Sequence, residues 1–313
     1  MNILITGIHG FVGTNLVAAL SVNHKIYGLD IIAPQKEGVA KTFSWEDLDN
    51  ELVPEIDAII HLAGKAHDTK NEAKAEVYFA VNTELTKKIY NYFLSSSAKK
   101  FIFFSTVKSA ADRVEGDYLT EDIIPKPVGP YGESKIAAEN YILANSPVDD
   151  KSVYIFRPCM IHGPGNKGNL NLLYQIIKKG IPWPLGAFEN RRSFVSIDNL
   201  AFVIGGFINR DIESGIYHIA DDESLSTNEL IETMCEAMGQ KARIWKISCG
   251  LMNGVAKLGT FLHLPLNKER LQKLTENYVV SNAKVKKVLG VSKFPISAHD
   301  GIIKTIQSFN VLQ

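Results

Sequence analysis

Residues 2–13 read NILITGIHGFVG. Asn2–Thr6 is a compact apolar run of the kind that forms a buried strand, and an apolar helical pattern runs from Phe11 to Leu20. Gly7 and Gly10 between them, and Gly13 inside the helical pattern, recur every third residue. Glycine permits the tight turn there and lets a pyrophosphate approach the N-terminus of the helix that follows. Gly7, His9, Gly10, Phe11, Val12 and Gly13 are therefore expected to line a dinucleotide. The next apolar run, Ile26–Asp30, ends in an acid 17 residues after Gly13. Asp30 can accept hydrogen bonds from both hydroxyls of an adenosine ribose and would repel a 2′-phosphate. No arginine follows it closely, so the expected cofactor is NAD, with NADP disfavoured.

Working outward, short apolar runs alternate with helical patterns: Ala58–Leu62, the helix Val81–Leu94, Lys100–Phe104, the helix Tyr131–Ala144 and Val153–Phe156. Strands at this spacing, interleaved with helices, predict βαβ units and an α/β fold of the Rossmann type, a doubly wound parallel sheet. After Arg157 glycine and proline thicken, in CMIHGPGNKG and KKGIPWPLGAFENRR, and these stretches read as loops with a helical piece between them. SLSTNELIETMCEAMG reads as a capped helix with Ser226 or Thr227 as the N-cap and Gly239 at its end. The expected organisation is a dinucleotide-binding domain over 1–157 and a smaller, mixed substrate lobe over 158–313. A return to the first sheet is expected around 197–218.

Composition narrows the function. Lys+Arg and Asp+Glu number 34 each, so no global charge excess draws the chain to nucleic acid or to a membrane, and neither is expected as a partner. Hydrophobic residues make up 45%, enough to bury a sizeable core. The three cysteines, Cys159, Cys235 and Cys249, are far apart, and His9, His61 and His162 show no metal spacing, so neither disulfides nor a metal are expected. The N-terminus has no basic region ahead of its glycines. The longest nearly apolar stretch, Ala201–Ile208, is far short of the roughly 20 residues that span a bilayer. A soluble, cytoplasmic protein is expected.

Tyr131 and Lys135 form YxxxK at the start of a helical pattern, one turn apart on one face. A second match, Tyr174 and Lys178, lies in the looser half and reads as helix surface. Tyr131 lies 25 residues after Thr106, which closes KFIFFST at the carboxyl edge where such sheets bind ligands. Tyrosine is a poor base at neutral pH, but a neighbouring ammonium and a nicotinamide cation favour the phenolate. Tyr131 can then exchange the proton of a carbinol while hydride moves to or from the cofactor, with Thr106 orienting the same oxygen.

These residues resemble the extended short-chain dehydrogenases/reductases, and within them the NAD-dependent epimerase/dehydratase group. The likeness covers nearly the whole chain: TGIHGFVG, Asp30, HLAG at 61–64, Asn82 in VNTELT, FST at 104–106, YGESK at 131–135 and RPCMIHGPG from Arg157. It implies that Leu62, Ala63, Gly64 and Asn82 line the cofactor and that Lys135 also holds the nicotinamide ribose. It implies nucleoside-diphosphate-sugar substrates, with Asn169, Arg192 and Arg270 contacting the diphosphate; arginine suits this through its planar fork. Leu185 and Phe188 are candidates to flank a base. A homodimer packed through two helices, one carrying Tyr131, enters by the same resemblance.

The departures from the group's pattern also inform. Dehydratases of the group place an Asp-Glu pair just after the threonine, whereas here Val107 and Lys108 follow, so dehydration is excluded. Sugar epimerases often have VYG a little further on, where this chain has KSAAD, and many have asparagine where Met160 stands. The leading reading is epimerisation at C4 of a UDP-hexose through transient oxidation. The alternative is an NAD(P)H-dependent 4-ketoreductase of a UDP-deoxy or amino sugar for surface polysaccharides. An NAD-binding redox regulator is disfavoured because Thr106, Tyr131 and Lys135 are all kept. A membrane-associated reductase has only Leu251–Leu264 in its favour, a stretch that reads better as a partly buried or partner-facing helix.

Overall fold

The computed structural model describes residues 1–32, 34–65, 74–147, 150–166, 168–262 and 266–311. Strands β1 (Asn2–Thr6), β2 (Lys25–Leu29), β3 (Lys41–Phe43), β4 (Ala58–His61), β5 (Lys100–Phe104), β6 (Ser152–Pro158), β7 (Met160–His162), β8 (Phe194–Ser196) and β9 (Gly215–Ile219) alternate with helices. The first helices are α1 (Phe11–Leu20), α2 (Trp45–Asp49), α3 (Ala75–Phe79), α4 (Leu85–Ser95), α5 (Val107–Ala110), α6 (Pro130–Ala144) and α7 (Asn169–Lys178). Then follow α8 (Ile197–Asn209), α9 (Thr227–Ala237), α10 (Cys249–Phe261), α11 (Lys268–Thr275), α12 (Ala283–Leu289) and α13 (Ala298–Val311). A π-helical turn, Ala80–Glu84, joins α3 to α4.

Seven strands form one parallel sheet in the order β3-β2-β1-β4-β5-β6-β9, and β7 pairs with β8 in a separate parallel pair. This is the doubly wound sheet expected from the alternation. Its central strands are buried on both faces, which is why they read as continuous apolar runs. One face packs Ile3, Ile5, Ile60, Ile102 and Phe156 against α1 and α8. The other packs Leu4, Ile59, Phe101 and Phe103 with Ile89, Tyr90 and Phe93 of α4. A third cluster joins α7, α9, α10 and α13 through Tyr174, Met234, Ala256 and Phe309. Tyr174 is fully buried with its ring 5.1 Å from that of Phe309. The surface reading of that YxxxK pair is therefore wrong for the tyrosine, because Leu170, Tyr174 and Ile177 form one apolar stripe.

Two lysines close helix ends. Buried Lys100 donates to the carbonyls of Phe207, Ile208 and Arg210, at 3.0, 2.8 and 2.6 Å, and Lys151 does the same for Phe93, Leu94 and Ser96. A cation there satisfies the last carbonyls and complements the helix dipole. Ser226 is the N-cap of α9, in a capping box with Glu229. Among the described residues no helix is long and apolar enough to cross a membrane.

Candidate active site

Parallel strands all present their carboxyl ends on one edge, and there β1 turns into α1. Gly7 has φ +67°, and its amide donates to Leu29 O at 2.8 Å. A Cβ on Gly7 would stand 2.9 Å from Ala63 N, so the turn can lie against the end of β4 only without one. The N-cap of α1 is Gly10, with no side chain to bond the first amides and no acid in the first turn. Such a helix start fits a pyrophosphate, as the glycine spacing predicts. At the end of β2, Asp30 Oδ2 accepts from His9 N at 3.0 Å and Oδ1 from Ile31 N at 2.8 Å. Lys36, which the sequence reading passed over, donates to Ile8 O and Thr14 Oγ1 at 3.1 and 2.7 Å. Burial lowers the pKa of its ammonium, and the Asp30 charge opposes this.

Beyond β4 a buried chain of hydrogen bonds fixes the loop. Thr6 Oγ1 accepts from Leu62 N and Ala63 N at 3.1 and 3.0 Å and lies 2.7 Å from His61 Nδ1. Thr86 donates to Asn82 O at 2.7 Å and lies 2.9 Å from His61 Nε2. With its oxygen taken twice, Thr6 gives its proton to Nδ1, and Nε2 carries the imidazole proton to Thr86. Burial holds the His61 pKa well below its ordinary value, with the Lys135 charge adding to the effect, so the ring is neutral. Asn82, in the π-helical turn, accepts from Lys65 N at 2.8 Å and donates to Lys65 O and Ser134 Oγ at 3.1 and 3.0 Å. It ties the Leu62–Lys65 loop to α6.

Thr106 caps α5, its Oγ1 accepting from Lys108 N at 3.2 Å. Tyr131 is the second residue of α6, after Pro130. A Cβ on Gly132 would stand 2.6 Å from Lys108 O, so this glycine lets α6 press against α5 and bring Tyr131 to Thr106. Burial raises the Tyr131 pKa above 10.0; a hydrogen bond with Thr106 opposes this and the neighbouring Tyr78 adds to it. Lys135, one turn on, donates from Nζ to Phe104 O at 2.8 Å, and burial pushes its pKa down to about 8 against the pull of Glu139.

One further turn along α6 stands Glu139, which the sequence reading missed. It accepts from Arg157 Nη2 at 2.5 Å and from Ser109 Oγ at 2.5 Å, and also from the hydroxyl of Ser105. An arginine closing the apolar strand VYIFR was the available signal.

These elements enclose a cavity of about 530 Å³. Gly7, Gly10, Phe11, Val12, Gly13, Leu62 and Gly64 line one part, and Thr106, Tyr131, Lys135 and Arg192 another. His9, Asp30, Ala63, Asn82 and Arg270 lie outside its lining. Arg192 is held by its Nη1 bond to Lys273 O at 3.0 Å. Arg270 is exposed on α11. Asn169 opens α7, but its side chain is outside the described residues. Leu185 and Phe188 pack in the third core cluster instead of lining the cavity. Lys108 and Tyr278 join the lining: the ammonium lies 4.3 Å from the Tyr278 ring centre and donates to Asp112 O at 2.8 Å. No group of three or more His, Cys, Asp or Glu placed to hold a metal occurs among the described residues.

Comparison with known proteins agrees with this geometry. The model of the NAD dependent epimerase/dehydratase family matches residues 3–220. A UDP-glucose 4-epimerase of Vibrio cholerae is 30% identical, covering 98% of this chain and 95% of that protein. The N-acetyl-alpha-D-glucosaminyl-diphospho-ditrans,octacis-undecaprenol 4-epimerase of Escherichia coli O157:H7 is 25% identical, covering 98% and 94%. Among solved structures, UDP-glucuronic acid 4-epimerase from Bacillus cereus in complex with NAD superposes with a TM-score of 0.76 at 20% identity, covering 100% of this chain and 99% of that one. That likeness shows the fold.

Proposed function

The chain belongs to the NAD dependent epimerase/dehydratase family, and on that premise we propose that it is a nucleoside-diphosphate-sugar 4-epimerase acting on a UDP-hexose. It is an NAD-dependent enzyme of the extended short-chain dehydrogenase/reductase type. The observation that carries the reading is that Thr106, Tyr131 and Lys135 share one cavity with the glycine turn.

Gly7–Gly13 and Asp30 would hold NAD, which would supply a hydride acceptor and donor when bound. Thr106 holds the C4 hydroxyl, and Tyr131 takes its proton as C4 is oxidised. Lys135 holds the nicotinamide ribose and keeps a positive charge beside the reaction. The keto sugar then turns over, and Tyr131 returns the proton when C4 is reduced on the other face. Arg192 neutralises the diphosphate. A hexosyl diphosphate, glucosyl in one and N-acetylglucosaminyl in the other, occurs in the substrates named for the two relatives.

A second reading is favoured by Lys108 and Met160, which depart from the epimerase pattern and line the cavity. It is a 4-ketoreductase that takes hydride from free cofactor once per turnover. Denaturing the purified protein and measuring released NAD(H) separates the two. Stoichiometric cofactor with interconversion of UDP-glucose and UDP-galactose, or of their N-acetylamino forms, supports the epimerase. An empty protein that reduces 4-keto sugars with NADH or NADPH supports the reductase and overturns the epimerase.

A further inference from the structure

Helix α10 has two apolar faces. Met252, Ala256 and Gly259 are buried. Leu251, Val255, Leu258 and Leu262, at spacings of four, three and four, fall within an arc of roughly 60° and are 61, 44, 57 and 52% exposed. Phe261 beside them is 80% exposed, and Trp245, just before the helix, is 57% exposed. Large apolar side chains clustered this way on a surface mark a docking face.

The charge of the same segment identifies what docks. Residues 240–275 hold seven basic side chains, Lys241, Arg243, Lys246, Lys257, Lys268, Arg270 and Lys273, against one acid, Glu269. The segment is thus net +6, while the rest of the chain, with 27 basic and 33 acidic residues, is net −6. All seven are exposed. A stripe of Leu, Val and Phe with a nearby Trp, set among lysines and arginines, is the composition of a helix lying in the plane of an anionic lipid surface. We propose that α10 and its basic flanks dock this enzyme peripherally on an anionic bilayer.

At 13 residues, α10 is about 20 Å long and lies on the bilayer rather than spanning it. The apolar stripe sinks to the acyl boundary while the lysines and arginines meet lipid phosphates. A two-fold pairing of chains through this stripe would bring two segments of net +6 together, which disfavours a second copy as the occupant. Helix α11 packs against α10, and the Lys273 carbonyl of α11 holds Arg192 in the cavity wall, so the face is joined to the cavity through α11. The inference needs no assumption about which sugar is turned over, and it revises the expectation that no membrane is a partner.

The test is sedimentation of the full chain with vesicles of equimolar phosphatidylglycerol and phosphatidylcholine, and with vesicles of phosphatidylcholine alone. The expected result is binding to the first and little to the second, weakened by added salt. Leu251→Ser/Leu258→Ser/Phe261→Ser, changing only exposed side chains, should keep the wild-type melting temperature and lower the partition coefficient at least tenfold. Lys257→Glu/Lys268→Glu should lower it on anionic vesicles. No binding of the wild type to anionic vesicles overturns the proposal. So does vesicle binding that the triple serine variant leaves unchanged. A fall in molar mass by light scattering on introducing the three serines, with no vesicle binding by the wild type, would assign the face to a second copy instead.

Discussion

Arg157 and Glu139 form an ion pair that is buried completely, with Nη2 and Oε2 2.5 Å apart. Glu139 stands two helical turns beyond Tyr131, and it also takes the hydroxyls of Ser105 and Ser109, which bracket Thr106. Helices α5 and α6, strand β6 and Ser105 just after β5 thus meet at one carboxylate.

Replacing Glu139 by Gln leaves the guanidinium buried without a counter-charge, which costs about 3–5 kcal/mol of stability. It also frees the segment that aims Thr106. Glu139→Gln should lower kcat at least tenfold and unfold at markedly lower urea. Arg157→Met should behave alike, and the double variant should lose less than the two single losses combined, because the second change removes a charge already orphaned. Strictly additive losses would show that the two residues act independently.

On the proposed reading, Asp30 and Lys36 set the cofactor preference between them. Asp30 is anchored by the His9 and Ile31 amides, and the Lys36 ammonium is close enough to feel its charge. In Asp30→Ala the repulsion of a 2′-phosphate is gone while Lys36 remains to attract it. Calorimetric titration of cofactor-stripped protein should show NAD weakened about tenfold or more, since a charge-assisted hydrogen-bond acceptor is lost, and NADP weakened less or strengthened. Equal weakening of both would remove Asp30 from the ribose.

Much of this site is legible in the sequence because its determinants are local. Asn2–Thr6, the glycine turn and Phe11–Leu20 have the bounds that their patterning predicts, and Tyr131 and Lys135 share a helix face by spacing alone. What escaped depends on partners distant in the chain. No local pattern marks Glu139, whose partner Arg157 stands on another element. Lys36 lies in a loop whose course no periodicity reveals. β3 is three residues long, and β7 pairs with β8 across a Gly- and Pro-rich stretch that reads as loop.

The pKa of Lys135, depressed by burial to about 8, gives the reaction a pH signature. In the free enzyme the ammonium is progressively lost as pH rises through 8, so kcat/KM should show a descending limb there. Stability moves the other way. The folded pKa lies below the ordinary lysine value of 10.5, so between pH 8 and 10.5 the unfolded chain binds more protons and this group makes the fold more stable as pH rises. Lys135→Arg keeps its charge throughout, so its pH profile should lack the limb near 8 even though the larger head lowers the rate. A limb unchanged in Lys135→Arg would assign it to another group.

His218 should contribute, with His61, to the loss of stability in acid. It is fully buried in β9, paired in register with Arg157, and its amide donates to Glu121 Oε1 at 2.8 Å. Burial pushes the ring's pKa down to about 4 from 6.5, with the Arg157 charge adding to the effect. Below pH 6.5 the unfolded chain takes a proton here that the folded chain refuses until about pH 4. Stability is therefore lost progressively between those values and the effect levels off below them. The shift corresponds to on the order of 3 kcal/mol. His218→Gln cannot titrate, so although less stable at pH 7 it should lose about 3 kcal/mol less than wild type between pH 7 and pH 4. Urea unfolding at the two pH values measures this difference, and parallel losses in the two proteins would show that His218 makes no such contribution.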